Sequence, residues 1–92
     1  MKEFDLLQTV SRIETMEAYF DVLQSAVNLA PETLRETSMI QKLQALTQYY
    51  EGGQWLQDFQ LDEAGLLPEK LKRGVLSEDG VYDLLAQIVA VI

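Results

Sequence analysis

The chain contains neither cysteine nor histidine. Disulfides, thiolate nucleophiles, imidazole general bases and the common Cys/His zinc sites are therefore excluded together. Basic residues are scarce as well: seven Lys and Arg stand against fifteen Asp and Glu, for a formal charge of −8. Nucleic-acid binders need concentrated positive charge to release counterions from a phosphate backbone, so this balance argues against nucleic acid as a partner. The same sign is repelled by an anionic membrane surface and favours solubility. Long hydrophobic runs are missing too. The most apolar stretch, Val81–Ile92, is too short to span a bilayer and contains Asp83 and Gln87. The opening MKEFDLLQTV carries Glu3 and Asp5 and lacks the apolar core of a signal peptide. A cytoplasmic protein is expected, which the absence of cysteine suits.

With 48% apolar and 24% charged residues, the composition is that of a globular chain rather than a disordered one. Ninety-two residues allow one domain. A chain this short buries only about 60–65% of its unfolded surface, so its stability is marginal unless it self-associates.

In the first half, Leu6, Thr9, Ile13, Met16, Phe20, Leu23, Val27 and Ala30 recur at alternating spacings of three and four. That is the pattern of a helix with one buried seam. Val10, Tyr19, Val22 and Ala26 widen it towards the stripe of a bundle helix, while Glu14, Glu17, Asp21 and Gln24 fall mostly on other faces. A helix of roughly 26 residues would be about 39 Å long. Pro31 interrupts the pattern, and Glu32 suits the amino terminus of a following helix. Leu34, Met39, Ile40, Leu43, Leu46, Tyr49 and Tyr50 form its apolar series, which Gly52-Gly53 ends. So short a break predicts an antiparallel hairpin, with one continuous helix kinked at Pro31 as the alternative. The seam serves either an intramolecular core, which is preferred, or a coiled coil with another chain.

The second half reads as a cover folded back over that hairpin. Gln54–Glu63 predicts a short helix with Trp55, Leu56 and Phe59 on one side and Asp58 and Asp62 sharing a face. Ala64-Gly65 stops it. Pro68-Glu69 open a helical turn that Gly74 closes, and Ser77 is placed to cap a terminal helix whose first turn holds Glu78 and Asp79. The last five residues, Ile88–Ile92, carry no polar side chain. Such a helix is either central in the bundle or packed on a second copy, and the small size of the chain favours the second.

No site for chemistry stands out. Asp58, Asp62, Glu63, Glu69, Glu78, Asp79 and Asp83 form no EF-hand loop, and pairing of these acids with Lys70, Lys72 and Arg73 is preferred to metal binding. The glycines fit neither a G-x-G-x-x-G nor a P-loop pattern. Ser and Thr lack a base to activate them. Lys70-Leu71-Lys72-Arg73, the only basic cluster, serves either to capture an acidic group on a partner or to pair internally. Trp55 and the tyrosines are large enough to anchor an interface, although in so small a domain they also suit the core.

One resemblance is specific. Tyr49-Tyr50, Gly53, Trp55, Asp58, Asp62-Glu63, Gly65, Leu67-Pro68, Leu71 through Asp79 and Tyr82-Asp83-Leu84-Leu85 are similar to a bacterial family catalogued as Domain of Unknown Function 4298. Arg12-Ile13-Glu14 followed by Met16-Glu17 also resembles its opening helix. The apolar end at Ile88–Ile92 departs from the more polar ending of that family. The resemblance implies a small bacterial helical protein and carries no catalytic residues with it.

The expectation is therefore an all-α domain over residues 1–92: a long antiparallel helical hairpin (1–51) with two or three shorter helices packed on it (52–92). The expected role is a non-enzymatic, cofactor-free and metal-free protein-interaction module that forms a homo-oligomer, with a homodimer foremost. Its partner surface would use Trp55, Phe59, Lys70, Lys72, Arg73 and Tyr82, and its self-association Ile88, Val91 and Ile92. The alternatives are an immunity- or antitoxin-like protein that neutralises a basic partner, and a carboxylate-based metal-dependent protein.

Overall fold

The computed structural model describes residues 5–92, so Glu3 of the opening segment lies outside the described residues. The order of elements is α1 (Leu6–Leu29), a 3-10 turn (Pro31–Arg35), α2 (Thr37–Glu51), α3 (Gln54–Glu63), a second 3-10 turn (Gly74–Leu76) and α4 (Gly80–Val91). There is no strand among the described residues, and none of the described helices is long and apolar enough to cross a membrane.

Helix α1 begins where Asp5 accepts a hydrogen bond from the Gln8 amide at 3.1 Å, satisfying one of the amides that a first turn leaves free. It ends at Leu29, with Ala30 as its cap ahead of Pro31. The proline does not open α2 directly. It starts the separate turn Pro31–Arg35, and α2 begins only at Thr37. Two helices are therefore present rather than one kinked helix, joined by a longer connection than the sequence pattern implied. Helix α2 packs on α1. Along the contact, Lys42 Nζ lies 5.9 Å from the ring centre of Tyr19.

Gly53 takes a φ of +93°, a left-handed conformation that favours glycine, and so separates α2 from α3 within two residues. Gly65 does the same after α3, at φ +74°.

The connector behaves differently from its sequence pattern. Pro68–Leu71 forms a turn closed by the Leu71 amide on the Pro68 carbonyl rather than a helical turn, and Gly74 opens the second 3-10 turn instead of closing a helix. Ser77 terminates that turn. The residue preceding α4 is Asp79, no side chain caps the helix, and Asp83 rather than Glu78 or Asp79 is the acid of its first turn.

Buried apolar side chains come from every described element: Ile13 and Leu23 of α1, Leu34 of the first turn, Met39 and Leu46 of α2, Trp55 of α3, Leu67, Leu71, Val75 and Leu76 of the connector and second turn, and Val81, Leu84 and Ile88 of α4. Each fully buried Leu or Ile contributes about 1.5–3 kcal/mol relative to exposure. In α1 the seam differs from its spacing at three positions: Leu6 and Val22 lie exposed and Glu17 is buried, whereas Thr9 is buried as its position in the seam implies. Ile40 of α2 is also exposed.

Candidate functional site

The most conspicuous polar arrangement joins three helices. Asp58 of α3 is completely buried. Its carboxylate accepts from Arg12 of α1 through Nε at 3.0 Å and Nη2 at 2.6 Å, and from the Tyr49 hydroxyl of α2 at 2.7 Å. Thr9 accepts a weaker bond from Arg12 at 3.4 Å. The two-pronged Arg–carboxylate geometry is the strong form of such a pair, and the tyrosine supplies a further donor to a charge that burial would otherwise destabilise. The hydrogen bond to Asp58 holds the Arg12 guanidinium above its ordinary value. Burial pushes the Tyr49 hydroxyl well above the usual phenol range, and its bond to Asp58 acts in the same direction.

These directions suit a clamp rather than an acid–base pair. Arg12 stays charged, Tyr49 stays neutral, and both Asp58 oxygens accept hydrogen bonds from within the fold. Asp58 thus departs from the expectation of a solvated acid paired with the Lys70–Arg73 cluster. Its position three residues after Trp55 was the available signal, because it places both side chains on one helical face. Arg12 likewise sits between Thr9 and Met16 on the edge of the seam.

A measurable pH dependence follows from Tyr49. Above about pH 10 an unfolded tyrosine loses its proton while the folded Tyr49 retains it, so the native state binds more protons and stability falls as pH rises. The expected slope is about 1.4 kcal/mol per pH unit above pH 10, continuing until the folded phenol itself titrates. Urea midpoints between pH 8 and pH 11 should show this steepening in the wild type and a shallower decline in Tyr49→Phe; parallel declines would contradict it.

A second arrangement fixes the connector. The Val75 amide donates to Glu17 Oε1 at 2.7 Å, and the Val75 carbonyl accepts from Trp55 Nε1 at 2.8 Å. Side chains from α1 and α3 therefore satisfy both backbone groups of one buried residue. Gly74 packs closely beside them: a Cβ there would lie 3.1 Å from Glu17 Oε2, so the carboxylate would have to shift by a few tenths of an ångström. Glu17 had been assigned to a polar face, and its burial is a correction that only the tertiary contact explains. Trp55 stacks on Phe59, with ring centres 5.0 Å apart and planes 15° from parallel, and meets Tyr50 edge-on at 5.1 Å. Trp55 thus belongs to the core and not to an open partner surface, and Phe59 is half-buried against it.

Arg73 is also occupied. It pairs with Asp62 and donates to the carbonyls of Pro68, Leu71 and Glu69, holding the turn closed. The expected internal pairing of the basic cluster therefore holds for Arg73 and Asp62. Lys70 and Lys72 are exposed on the rim of a groove of about 300 Å³, opposite Glu14, Glu17 and Asp21 of α1. No group of three or more Asp or Glu placed to hold a metal ion occurs among the described residues.

The residues assigned to self-association divide. Ile88 is 1% exposed and packs in the core with Val81 and Leu84, so it does not take part in a free surface. Tyr82, Val91 and Ile92 are 62%, 45% and 55% exposed. Val89, which sequence reasoning passed over, is 75% exposed. At about 100° per residue, Ile92, Leu85, Val89, Tyr82 and Ala86 fall within an arc of roughly 120° beside the buried one. Helix α4 is therefore apolar over a wider arc than its own fold covers.

Comparison with curated proteins and with solved structures finds no match. The family model described as Domain of unknown function (DUF4298) matches residues 13–91, which include Asp58, Tyr49, Trp55, Glu17, Val75 and all of α4. Arg12, whose guanidinium completes the cluster, lies one residue before that match. With 79 of its 92 residues matched (13 through 91), the chain belongs to the DUF4298 family.

Proposed function

We propose that this protein is a non-enzymatic interaction module, built as a single domain, that associates with itself through the uncovered side of α4. The observation that carries this reading is the second apolar stripe of α4, with Tyr82 and Val89 more than half exposed. Isolated exposed apolar residues are ordinary, whereas a contiguous helical face is a feature of contact surfaces. The frame is taken as an antiparallel hairpin of α1 and α2. Supporting this sense, Tyr19 meets Lys42 while Arg12, earlier in α1, joins Tyr49, later in α2, through Asp58.

The charge of the chain makes the reading testable. Two copies of charge −8 repel, so an apolar self-contact tightens as salt screens that repulsion. Capture of a basic partner behaves in the opposite way and weakens with salt. Light scattering coupled to size exclusion, at about 50 µM protein and at low and high salt, should show a dimer favoured by the higher ionic strength. A monomer under both conditions would overturn the self-association.

A further inference from the structure

Resting on that reading, we infer that the occupant of the uncovered α4 face is the α4 of a second copy, packed antiparallel about a two-fold axis between Leu85 and Ala86. Such an axis sets Tyr82 against Val89 of the second copy, and the open edge of Leu85, which is half-buried against its own core, against Ala86 of the second copy. Both contacts join a larger side chain to a smaller one, so the surface complements itself, as an isologous interface requires. A parallel pairing would instead set Tyr82 on Tyr82 and Ala86 on Ala86, leaving a clash beside a gap.

Charge selects the same partner and the same direction. From Gly80 to Ile92 the chain holds one charged residue, Asp83, which lies about 100° round the helix from Tyr82 and outside the stripe. This is a neutral surface on an acidic molecule, and it fits a second neutral surface better than a basic ligand. Glu78 and Asp79 stand immediately before α4. Antiparallel packing separates those acids of the two copies by about 20 Å, at 1.5 Å per residue, well beyond the screening length of about 8 Å at physiological salt. Parallel packing would bring all four together. Opposed helix directions also set the two helix dipoles favourably.

The test uses the full chain and two exposed positions, so that folding is unaffected; unchanged helical circular dichroism confirms this for each variant. Tyr82→Lys and Val89→Glu are measured alone and as an equimolar mixture by sedimentation equilibrium. Each alone should weaken the dimer at least about tenfold, because every homodimer then carries two disrupted contacts. The mixture should form a heterodimer within about threefold of the wild-type affinity, since one contact becomes an opposite-charge pair and the other remains native. A wild-type dimer that neither substitution weakens would overturn this interface and the α4 surface of the reading above, and only self-association through another face would remain. Weakening by both without recovery in the mixture would overturn the antiparallel pairing. A monomeric wild type would remove both the interface and the reading beneath it.

Discussion

Replacing Asp58 by alanine is expected to cost about 3–5 kcal/mol of folding stability, the range for removing one partner of a buried ion pair. The substitution strands two donors at once: the Arg12 guanidinium and the Tyr49 hydroxyl. Arg12 retains some contact with water, its side chain being 28% exposed, which limits its share. Tyr49 is buried and contributes about 1–3 kcal/mol as an unsatisfied hydroxyl. If the total lies at the low end of the range of about 5–14 kcal/mol for a chain this size, a loss of about 5 kcal/mol leaves much of the population unfolded. Urea denaturation followed by far-ultraviolet circular dichroism measures it. A triple change, Asp58→Leu with Arg12→Leu and Tyr49→Phe, should recover most of the loss, because apolar side chains of similar volume commonly replace a buried ion pair without penalty. A loss below about 1 kcal/mol in Asp58→Ala would mean that the cluster is ornamental to stability.

The separation between legible and illegible features follows from the range of the forces involved. Helix α1, the break at Pro31 and the stops at Gly53 and Gly65 are set within a few residues: apolar periodicity, proline geometry and positive φ each act locally. The polar clusters are not local. Arg12 and Asp58 are 46 residues apart and Glu17 and Val75 are 58 apart, so the sequence around either partner resembles that of a solvated charge. The charge pattern was accordingly a poor guide to burial in α1 and α3, although the spacing from Trp55 to Asp58 held a hint.

The connector shows the converse error. Ser77 and the acids after it match a helix amino terminus, yet α4 begins at Gly80 without a side-chain cap. Two tertiary bonds already hold Val75, the Ser77 amide closes the short turn on the Gly74 carbonyl, and the Gly80 amide donates to the Ser77 carbonyl at 3.3 Å, so Ser77 belongs to the turn before α4. Local propensity is a weak prior wherever such contacts decide the path of the backbone. In α4 the sequence pattern revealed the surplus of apolar residues but not its division. Only the packed structure separates Ile88, turned inward, from Val89, turned outward.

The second large effect is expected at Trp55. Trp55→Ala removes the largest side chain of the core cluster and should cost about 3–5 kcal/mol, with Phe59 and Tyr50 losing their stacking partner. The informative comparison is Trp55→Phe, which keeps an aromatic ring but deletes the Nε1 donor to Val75. Stranding that carbonyl should cost about 1–3 kcal/mol, leaving the phenylalanine variant between wild type and alanine. The loss should also be visible locally. The Val75 amide, held by Glu17 from the other side, should exchange faster with solvent in Trp55→Phe than global stability alone requires, because Val75 is then held by one side chain instead of two. Glu17→Ala should accelerate the same amide, and the double variant should lose less than the sum if the two bonds form one unit. Stability curves by circular dichroism and amide exchange by nuclear magnetic resonance provide both readouts. If Trp55→Phe matches the wild type in stability and at the Val75 amide, the indole contributes through its ring alone, and the connector is held by Glu17, the Arg73–Asp62 pair and the burial of Val75 and Leu76.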